Sequence, residues 1–148
     1  MTLPDGTRLL GIHASPGRDD VPGFQPRHSD DELERRLAGC EADVVIVGHT
    51  HVPLDRQVGN VRVINLGSVG NPVTPGLQAT YALLEADERG YRIQLRRVDY
   101  DHEAVIQAIE QSHHPTPSFL IAYMRGERLV SSDPGFFQAS KGIGKQKS

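Results

Sequence analysis

The pattern of apolar and polar positions along the chain predicts a layered α/β (α+β) fold. Residues 43–48 form an almost uninterrupted apolar, β-branched run, which is typical of a strand buried on both faces of a sheet. Residues 91–98 alternate apolar and polar side chains, which is typical of a strand with one face in water. The remaining predicted strands span residues 8–13, 61–66 and 79–86.

Three amphipathic helices are predicted between and after these strands. Ser29 and Glu32 have the spacing of a capping box, and the apolar stripe that follows extends to Cys40, which predicts about three helical turns. Asp101 is the expected N-cap of a second helix, and Thr116, followed by a proline, opens a third. We expect the helices to cover the sheet.

The two ends of the chain carry different signals. The Pro-Asp-Gly-Thr sequence at 4–7 predicts a hairpin turn, because Asp-Gly tolerates the positive φ values that such turns need. A strand should precede this turn, yet only three residues do, so we expect that strand to belong to a segment upstream of this sequence. From residue 138 onward the sequence is rich in Gly, Lys and Ser and has too little apolar surface to offset the entropy of ordering. We therefore predict a folded part at 1–137 and a disordered tail at 138–148.

Composition and charge argue against several classes of protein. With 148 residues the chain can bury one core, and its net charge of −3 is spread over interspersed acidic and basic residues, which argues against a dedicated nucleic-acid surface. A single cysteine excludes an internal disulfide and favours a cytoplasmic protein. No apolar run approaches the roughly 20 residues of a membrane span. We therefore expect neither a membrane nor a nucleic acid as partner.

Histidines at the ends of predicted strands are the candidate chemistry. His13 ends one strand, and His49 and His51 follow the buried strand at 43–48. Ligand sites in open α/β sheets form at the carboxyl ends of strands, and imidazole is a common ligand of transition metals. These three histidines are therefore the predicted metal ligands. The alternative is that they only satisfy carbonyl groups of their own loops.

Three loop sequences resemble those of bacterial calcineurin-like metallophosphoesterases. Gly-Ile-His-Ala-Ser-Pro at 11–16 is similar to the family's Gly-x-His-Gly-Ser-Pro loop, with alanine in place of a glycine. Gly-His-Thr-His at 48–51 resembles the family's Gly-His-Thr-His loop, and Asn-Leu-Gly-Ser-Val-Gly at 65–70 resembles its Asn-Pro-Gly-Ser-Val-Gly segment. The resemblance extends over residues 8–100, which correspond to the second half of such a domain.

This resemblance implies a fold, an activity and a set of ligands. It implies half of a four-layer α/β/β/α sandwich with a mixed sheet and covering helices, residues 1–137 being the C-terminal portion of the domain. It implies hydrolysis of a phosphomonoester or phosphodiester by metal-activated water at a site of two divalent ions. Mn²⁺ is the first expectation, and Zn²⁺ or Fe is also compatible with such ligands. His13 and His49 would bind one ion and His51 the other.

The family's earlier motifs are missing from residues 1–148. No Asp-x-His, Gly-Asp-x-x-Asp or Gly-Asn-His-Asp/Glu sequence occurs, so the bridging carboxylate and the remaining ligands have no counterpart in this sequence. One hypothesis is an enzyme of which this chain is an N-terminally truncated form. The other is a non-catalytic binding module with an incomplete metal site. In either case an unpaired sheet edge would allow the chain to associate with itself.

Three further polar residues are assigned supporting roles. Arg18, in the loop after His13, is predicted to contact the substrate phosphate, against the alternative of a solvated loop arginine. Asn65 and Ser68 are predicted to support the metal loops through hydrogen bonds, against ordinary turn-forming roles. No residue is assigned as a catalytic acid, base or nucleophile.

Overall fold

The computed structural model describes residues 1–19 and 22–127, so the predicted tail at 138–148 lies outside the described residues. The elements are β1 (Leu9–Gly11), α1 (Asp30–Arg36), β2 (Val44–Val47), β3 (Leu54–Val58), β4 (Val61–Asn65), β5 (Ala79–Asp87), β6 (Gly90–Val98), α2 (His102–Gln111) and α3 (Pro117–Met124). This is the mixed α/β composition that the sequence pattern predicts. None of these helices has the length and apolar character needed to cross a lipid bilayer.

Four strands form a mixed sheet in the order β1-β2-β4-β3. The strands β1, β2 and β4 run parallel, with Leu10 opposite Val45 and Val45 opposite Val63, while β3 runs antiparallel to β4. Adjacent parallel strands end on the same side of a sheet, so the loops that follow β1, β2 and β4 meet there. The three predicted metal ligands lie in two of these loops.

The strand β1 is shorter than the predicted 8–13 and ends at Gly11, two residues before His13. Two further elements differ more from their predicted form. No strand is predicted at β3, because its centre, Asp-Arg-Gln at 55–57, is polar; it is an edge strand joined to β4 by the two-residue turn Gly59-Asn60. The helix α1 ends at Arg36 rather than near Cys40, since Leu37 is its C-cap and Gly39 follows with a φ of 77°. The prediction of three turns for α1 is therefore wrong, and the helix has about two.

The two faces of the four-stranded sheet bury separate apolar clusters. On one face, Leu33 of α1 and Phe24 pack around Val45 of β2. On the other face, Ile64 of β4 packs with Ile93 of β6. Burial of an aliphatic or aromatic side chain of this size stabilises the fold by roughly 1.5–3 kcal/mol. The main sheet therefore lies between α1 and the β5–β6 pair, and strand β2 is buried on both faces as its apolar run predicts.

The predicted turn at 4–7 is present at the outer edge of β1. The Leu3 N–H donates to the Thr7 carbonyl at 2.8 Å, and the Leu9 N–H donates to the Met1 carbonyl at 2.9 Å. Residues 1–3 therefore run antiparallel beside the first residue of β1, held by the turn.

The pair β5–β6 is an antiparallel two-stranded sheet with one face directed into the core and a mixed polar and apolar face turned outward. Ile93 is directed into the core, whereas Tyr81, Leu83 and Val98 are 38–46% exposed on the opposite face. On the outward face Tyr81 lies opposite Arg96 and Leu83 opposite Gln94, which agrees with the one solvated face that the alternation of residues 91–98 predicts. Self-association through an unpaired sheet edge stays a prediction.

The helices α2 and α3 pack against each other and against the loops at the histidine end of the sheet. Ile106 of α2, with Tyr123 and Met124 of α3, forms a buried cluster with Val52 and Val73. Val52 lies in the loop after β2, and Val73 lies in the loop after β4. These two helices therefore support the loops instead of lying across a sheet face as α1 does, which differs from the expected placement.

His28 is a buried histidine whose protonation opposes folding. The residue is 9% exposed, and its Nδ1 accepts a hydrogen bond from the Gln25 N–H at 3.2 Å. Burial lowers the pKa of His28, and the positive charge of Arg36 lowers it further. The folded protein therefore takes up a proton at His28 less readily than the unfolded chain does.

We expect the free energy of unfolding to be fully developed above the ordinary histidine range near ~6.5 and to fall as the pH drops below it. Substituting His28→Gln should reduce this fall, although His51, whose pKa is also lowered by burial, leaves a part of it. Urea titrations at about pH 7.5, 6.5 and 5.5 measure the effect, with exposed His114→Gln as the matched control. Equal pH dependence in the wild type and His28→Gln would contradict the prediction.

Candidate metal centre

Two neighbouring parallel strands place the first two predicted ligands side by side. The strand β1 ends at Gly11 and β2 ends at Val47, and in each case a histidine follows two residues later. The Gly48 N–H donates to the carbonyl of His13 at 3.0 Å, which ties the two loops together. The rings of His13 and His49 therefore project from a shared, hydrogen-bonded base.

His13 and His49 meet directly through their side chains. The Nε2 of His13 lies 3.0 Å from the Nδ1 of His49, with the ring centroids 4.9 Å apart and the rings inclined at 81°. Without a metal, one of these nitrogens donates its proton to the other. Both side chains are exposed, so a ligand has access to the pair.

This nitrogen–nitrogen separation fits two ligands of one ion. Two imidazole nitrogens at about 2.0–2.1 Å from a metal, subtending an octahedral or tetrahedral angle, are about 2.8–3.4 Å apart. The observed 3.0 Å lies within that interval. The pair therefore has the spacing of two ligands on one cation, provided that the rings turn so that both lone pairs face the ion.

The backbone of the Gly-His-Thr-His loop is unusual at both histidines. His49 has a φ of 63° and His51 a φ of 59°, in the left-handed region that non-glycine residues rarely adopt. Such conformations cost of order 1–3 kcal/mol each and persist where the surroundings impose them, often at functional sites. Gly23 allows the loop to close, because a Cβ at that position would lie 2.9 Å from Thr50 Cγ2 and 3.2 Å from the His49 ring.

His51 is half-buried beside this pair. Burial lowers its pKa, the Asn71 backbone opposes this by hydrogen bonding, and the positive forms of His49 and His13 lower it further. The Nδ1 of His51 lies 3.4 Å from the side-chain amide of Asn71. The site thus favours neutral His51, which is the form in which imidazole binds a metal.

The described residues supply only part of a metal site. Within 1–19 and 22–127, no group of three or more His, Cys, Asp or Glu side chains is arranged to hold a metal ion. His51 is close enough to His13 and His49 for their positive charge to lower its pKa. It does not, however, form a three-ligand group with them. Two imidazoles fit one side of a tetrahedral or octahedral ion and leave the other positions to further ligands.

Asn65, at the end of β4, connects the loops that surround the histidines. Its Nδ2 donates to the Gly48 carbonyl and lies within hydrogen-bonding distance of Thr50 Oγ1, both at 2.8 Å, and a longer contact of 3.3 Å reaches the Phe24 carbonyl. Its Oδ1 accepts the Gly67 N–H at 2.9 Å. Asn65 is fully buried, so these hydrogen bonds are formed away from water. The contacts are those of a side chain that supports the His49–His51 loop.

Ser68 is bonded to β5 and to the end of its own loop. Its N–H donates to Thr80 Oγ1 at 2.7 Å, and its Oγ accepts the Asn71 N–H at 2.9 Å. The preceding Gly67 has a φ of 77°, and a Cβ there would overlap the Thr80 hydroxyl, so only glycine fits. These bonds fix the loop that carries Asn71.

Arg18 lies in the loop that follows His13, as predicted, and is exposed. Its backbone forms two hydrogen bonds with Ser15, both at 3.0 Å, which close a tight turn. The turn keeps the arginine in the loop after β1, and its contact with a phosphate stays a prediction.

Asn71 and Tyr123 also lie at the candidate site, although the sequence pattern does not indicate them. Asn71 contacts His51, and the Tyr123 hydroxyl donates to the Asn71 carbonyl at 3.2 Å. Asn71 ends a Gly-rich segment and could have been suspected from that position. Tyr123 lies 52 residues further along, on an apolar helix face, where no local pattern points to a polar role.

Comparison with known proteins places these loops in a family. The family model described as the calcineurin-like phosphoesterase superfamily domain matches residues 2–89, more than half of the chain. The chain is also similar to the uncharacterized protein MJ0912 of Methanocaldococcus jannaschii, with 26% identity over 126 residues, covering 74% of this chain and 49% of that protein.

Two solved structures share the fold. The hypothetical protein PH1004 from Pyrococcus horikoshii OT3 matches with a TM-score of 0.69 at 22% identity. The match covers 82% of this chain and 47% of the PH1004 chain. The metallophosphoesterase from Sphaerobacter thermophilus matches with a TM-score of 0.65 at 19% identity, covering 81% and 55%. The chain thus spans about half the length of the relatives it matches.

Proposed function

Because the chain belongs to the calcineurin-like phosphoesterase superfamily, we propose that it forms the histidine-bearing part of a metal-dependent phosphoesterase. The reaction proposed is hydrolysis of a phosphomonoester or phosphodiester. The observation that carries the proposal is the 3.0 Å approach of His13 Nε2 to His49 Nδ1 beyond the ends of two adjacent parallel strands. A nitrogen pair at this separation has the spacing of two ligands on one ion.

Six residues of the chain have a defined part in this proposal. His13 and His49 hold one divalent ion and His51 holds the second, with Mn²⁺ the first choice and Zn²⁺ or Fe the alternatives. Bound ions of this kind supply Lewis acidity to a phosphoryl oxygen and lower the pKa of water. Arg18 binds the substrate phosphate, while Asn65 and Ser68 keep the ligand loops in place.

The remaining ligands are proposed to come from residues outside this sequence, which is then an N-terminally truncated form. The relatives are about twice as long as the matched part of this chain. Carboxylates are needed to hold two cations a few ångströms apart, since imidazoles do not offset their mutual repulsion. This requirement accounts for a site in which the described residues offer histidines alone.

The proposed partner and compartment follow from the same chemistry. The substrate is a small phosphate ester, whose negative charge suits a site built from cations and an arginine. The single cysteine is the usage expected of a protein in the reducing cytoplasm.

A second candidate is a non-catalytic module that binds one ion weakly or acts through its surface. It is favoured by the finding that no three-ligand group forms within residues 1–19 and 22–127. Sequence upstream of Met1 separates the candidates, because Asp-x-His and Gly-Asp-x-x-Asp motifs in frame would complete an enzyme and their absence would favour the module.

We expect the wild-type chain to bind Mn²⁺ or Zn²⁺ weakly, through imidazoles alone. Calorimetric titration should show that His49→Ala weakens binding at least about tenfold, since it removes one of two adjacent ligands. His114→Ala, at an exposed position 65 residues from His49 in sequence, is the matched control and should leave affinity unchanged. Binding that His49→Ala does not alter would refute the assigned ligands.

A further inference from the structure

The loop between β4 and β5 presents Asn71 to His51 with little freedom. The Asn71 N–H is held by Ser68 Oγ at 2.9 Å, and Ser68 is in turn bonded to Thr80 at the start of β5. From the other side, Tyr123 of α3 donates its hydroxyl to the Asn71 carbonyl at 3.2 Å. Both backbone polar groups of Asn71 therefore have partners in different parts of the chain.

The side chain of Asn71 contacts the nitrogen of His51 that would face away from an ion bound at Nε2. In the orientation that turns Nδ2 toward His51, the nitrogen–nitrogen distance is 3.4 Å, which is long for a hydrogen bond. In that orientation Oδ1 is buried and has no hydrogen-bond partner among the described residues. Exchanging the two amide atoms by rotation about χ2 offers Oδ1 a donor, the Nδ1–H of His51.

The two amide orientations select different tautomers of His51. An Nδ2 donor requires a lone pair on Nδ1, so the ring proton must lie on Nε2 and block it as a ligand. An Oδ1 acceptor requires the proton on Nδ1 and leaves the lone pair of Nε2 free. Histidine ligands of metals ordinarily donate their second N–H to an oxygen in this way.

We propose that Asn71 is a positioning residue that accepts the Nδ1–H of His51 and so presents Nε2 to the metal, and that Tyr123 holds Asn71 in place. This rests on the proposed function, because it concerns the same site. It adds a connection from α3 to the ligand loop: Tyr123 is 4% exposed and packs with Val52, the residue that follows His51.

The tautomer can be read without any metal. In the full chain with ¹⁵N-labelled histidine, above the histidine titration range, we expect long-range ¹⁵N–¹H spectra to show His51 protonated at Nδ1, with His51→Gln assigning the signal. Asn71→Ala keeps the Asn71 backbone, which also bonds His51, and removes only the side-chain acceptor, so it should move His51 toward the Nε2–H form. The near-isosteric Asn71→Asp keeps an oxygen acceptor and should retain the Nδ1–H form. If the amide instead acted as a donor through Nδ2, this variant would lose that contact.

Metal affinity provides the second readout. Titration with Zn²⁺ should show a roughly 10- to 100-fold weaker affinity in Asn71→Ala, recovery in Asn71→Asp and a smaller loss in Tyr123→Phe. Tyr100→Phe is the matched control, because the Tyr100 hydroxyl contacts Met124 Sδ at 3.5 Å in the same helical region and should leave affinity unchanged.

The outcomes separate this inference from the proposed function. Wild-type His51 in the Nε2–H form, or a tautomer that does not respond to Asn71→Ala in a folded variant, would overturn the inference. Loss of the Nδ1–H form in Asn71→Asp would overturn the acceptor role. A wild-type chain that binds no Zn²⁺ would count against the proposed function, and the spectra would still decide the role of Asn71.

Discussion

Residues 1–148 alone should hydrolyse bis-p-nitrophenyl phosphate no faster than Mn²⁺ in buffer does. A chain extended upstream to include Asp-x-His and Gly-Asp-x-x-Asp motifs should be faster by about a hundredfold or more. The reason is the charge balance of the site, since two cations held only by neutral imidazoles repel each other without a carboxylate between them. Initial rates of nitrophenolate release, measured for both chains at equal Mn²⁺ concentration, test this prediction.

Variants of the longer chain should separate metal ligands from bystanders. We expect His51→Ala to lower its rate by roughly 10²-fold or more, because the variant disturbs one of the two ions. The exposed histidine in His114→Ala is the matched control and should leave the rate unchanged. Robust Mn²⁺-dependent hydrolysis by a monomer of residues 1–148 would contradict the proposal that this chain lacks the ligands of an active two-metal site.

Substitution of Asn65 should have the largest effect on stability. Asn65→Ala leaves the Gly67 N–H and the Gly48 carbonyl without their partner in a fully buried position, which should lower the free energy of unfolding by about 2–4 kcal/mol. Asn65→Asp keeps the acceptor for Gly67 but brings a carboxylate against the Gly48 carbonyl, and should cost at least as much. Urea unfolding of the variants measures both effects.

Asn60→Ala is the matched control for this series. Asn60 is exposed in the turn between β3 and β4, and its replacement should change stability by about 0.5 kcal/mol or less. The same argument predicts that Asn65→Ala weakens metal binding, because the loop that carries His49 and His51 loses its support. A destabilisation by Asn65→Ala no larger than that of Asn60→Ala would contradict the assigned role.

Much of the fold could be predicted where the local pattern was strong. The apolar run at 43–48 predicts a strand buried on both faces, and Val44 and Val45 are each fully buried against opposite clusters. The capping box at Ser29 is present, with Ser29 Oγ accepting the Glu32 N–H at 3.3 Å. These features need only neighbours in sequence, so they could be read from it.

Other elements could not be read because their cause lies elsewhere in the chain. The polar strand β3 is held by its pairing with β4 rather than by apolar residues at its centre. The helices α2 and α3 have apolar stripes, which must be buried against another part of the protein. The stripes alone do not indicate whether that part is a sheet or a pair of loops. The structure shows loops, through Val52 and Val73.

The sequence by itself determined which residues are candidate metal ligands and that they follow strands. The histidines and the glycines around them form short local motifs, and these motifs are sufficient to indicate the family. Only the tertiary structure decided which of these groups meet. The adjacency of His13 and His49 depends on β1 and β2 pairing in parallel, and the contact of Tyr123 with Asn71 depends on where α3 packs. Such contacts depend on strand order, register and packing across 36 and 52 residues of chain, and a local sequence pattern carries no information about them.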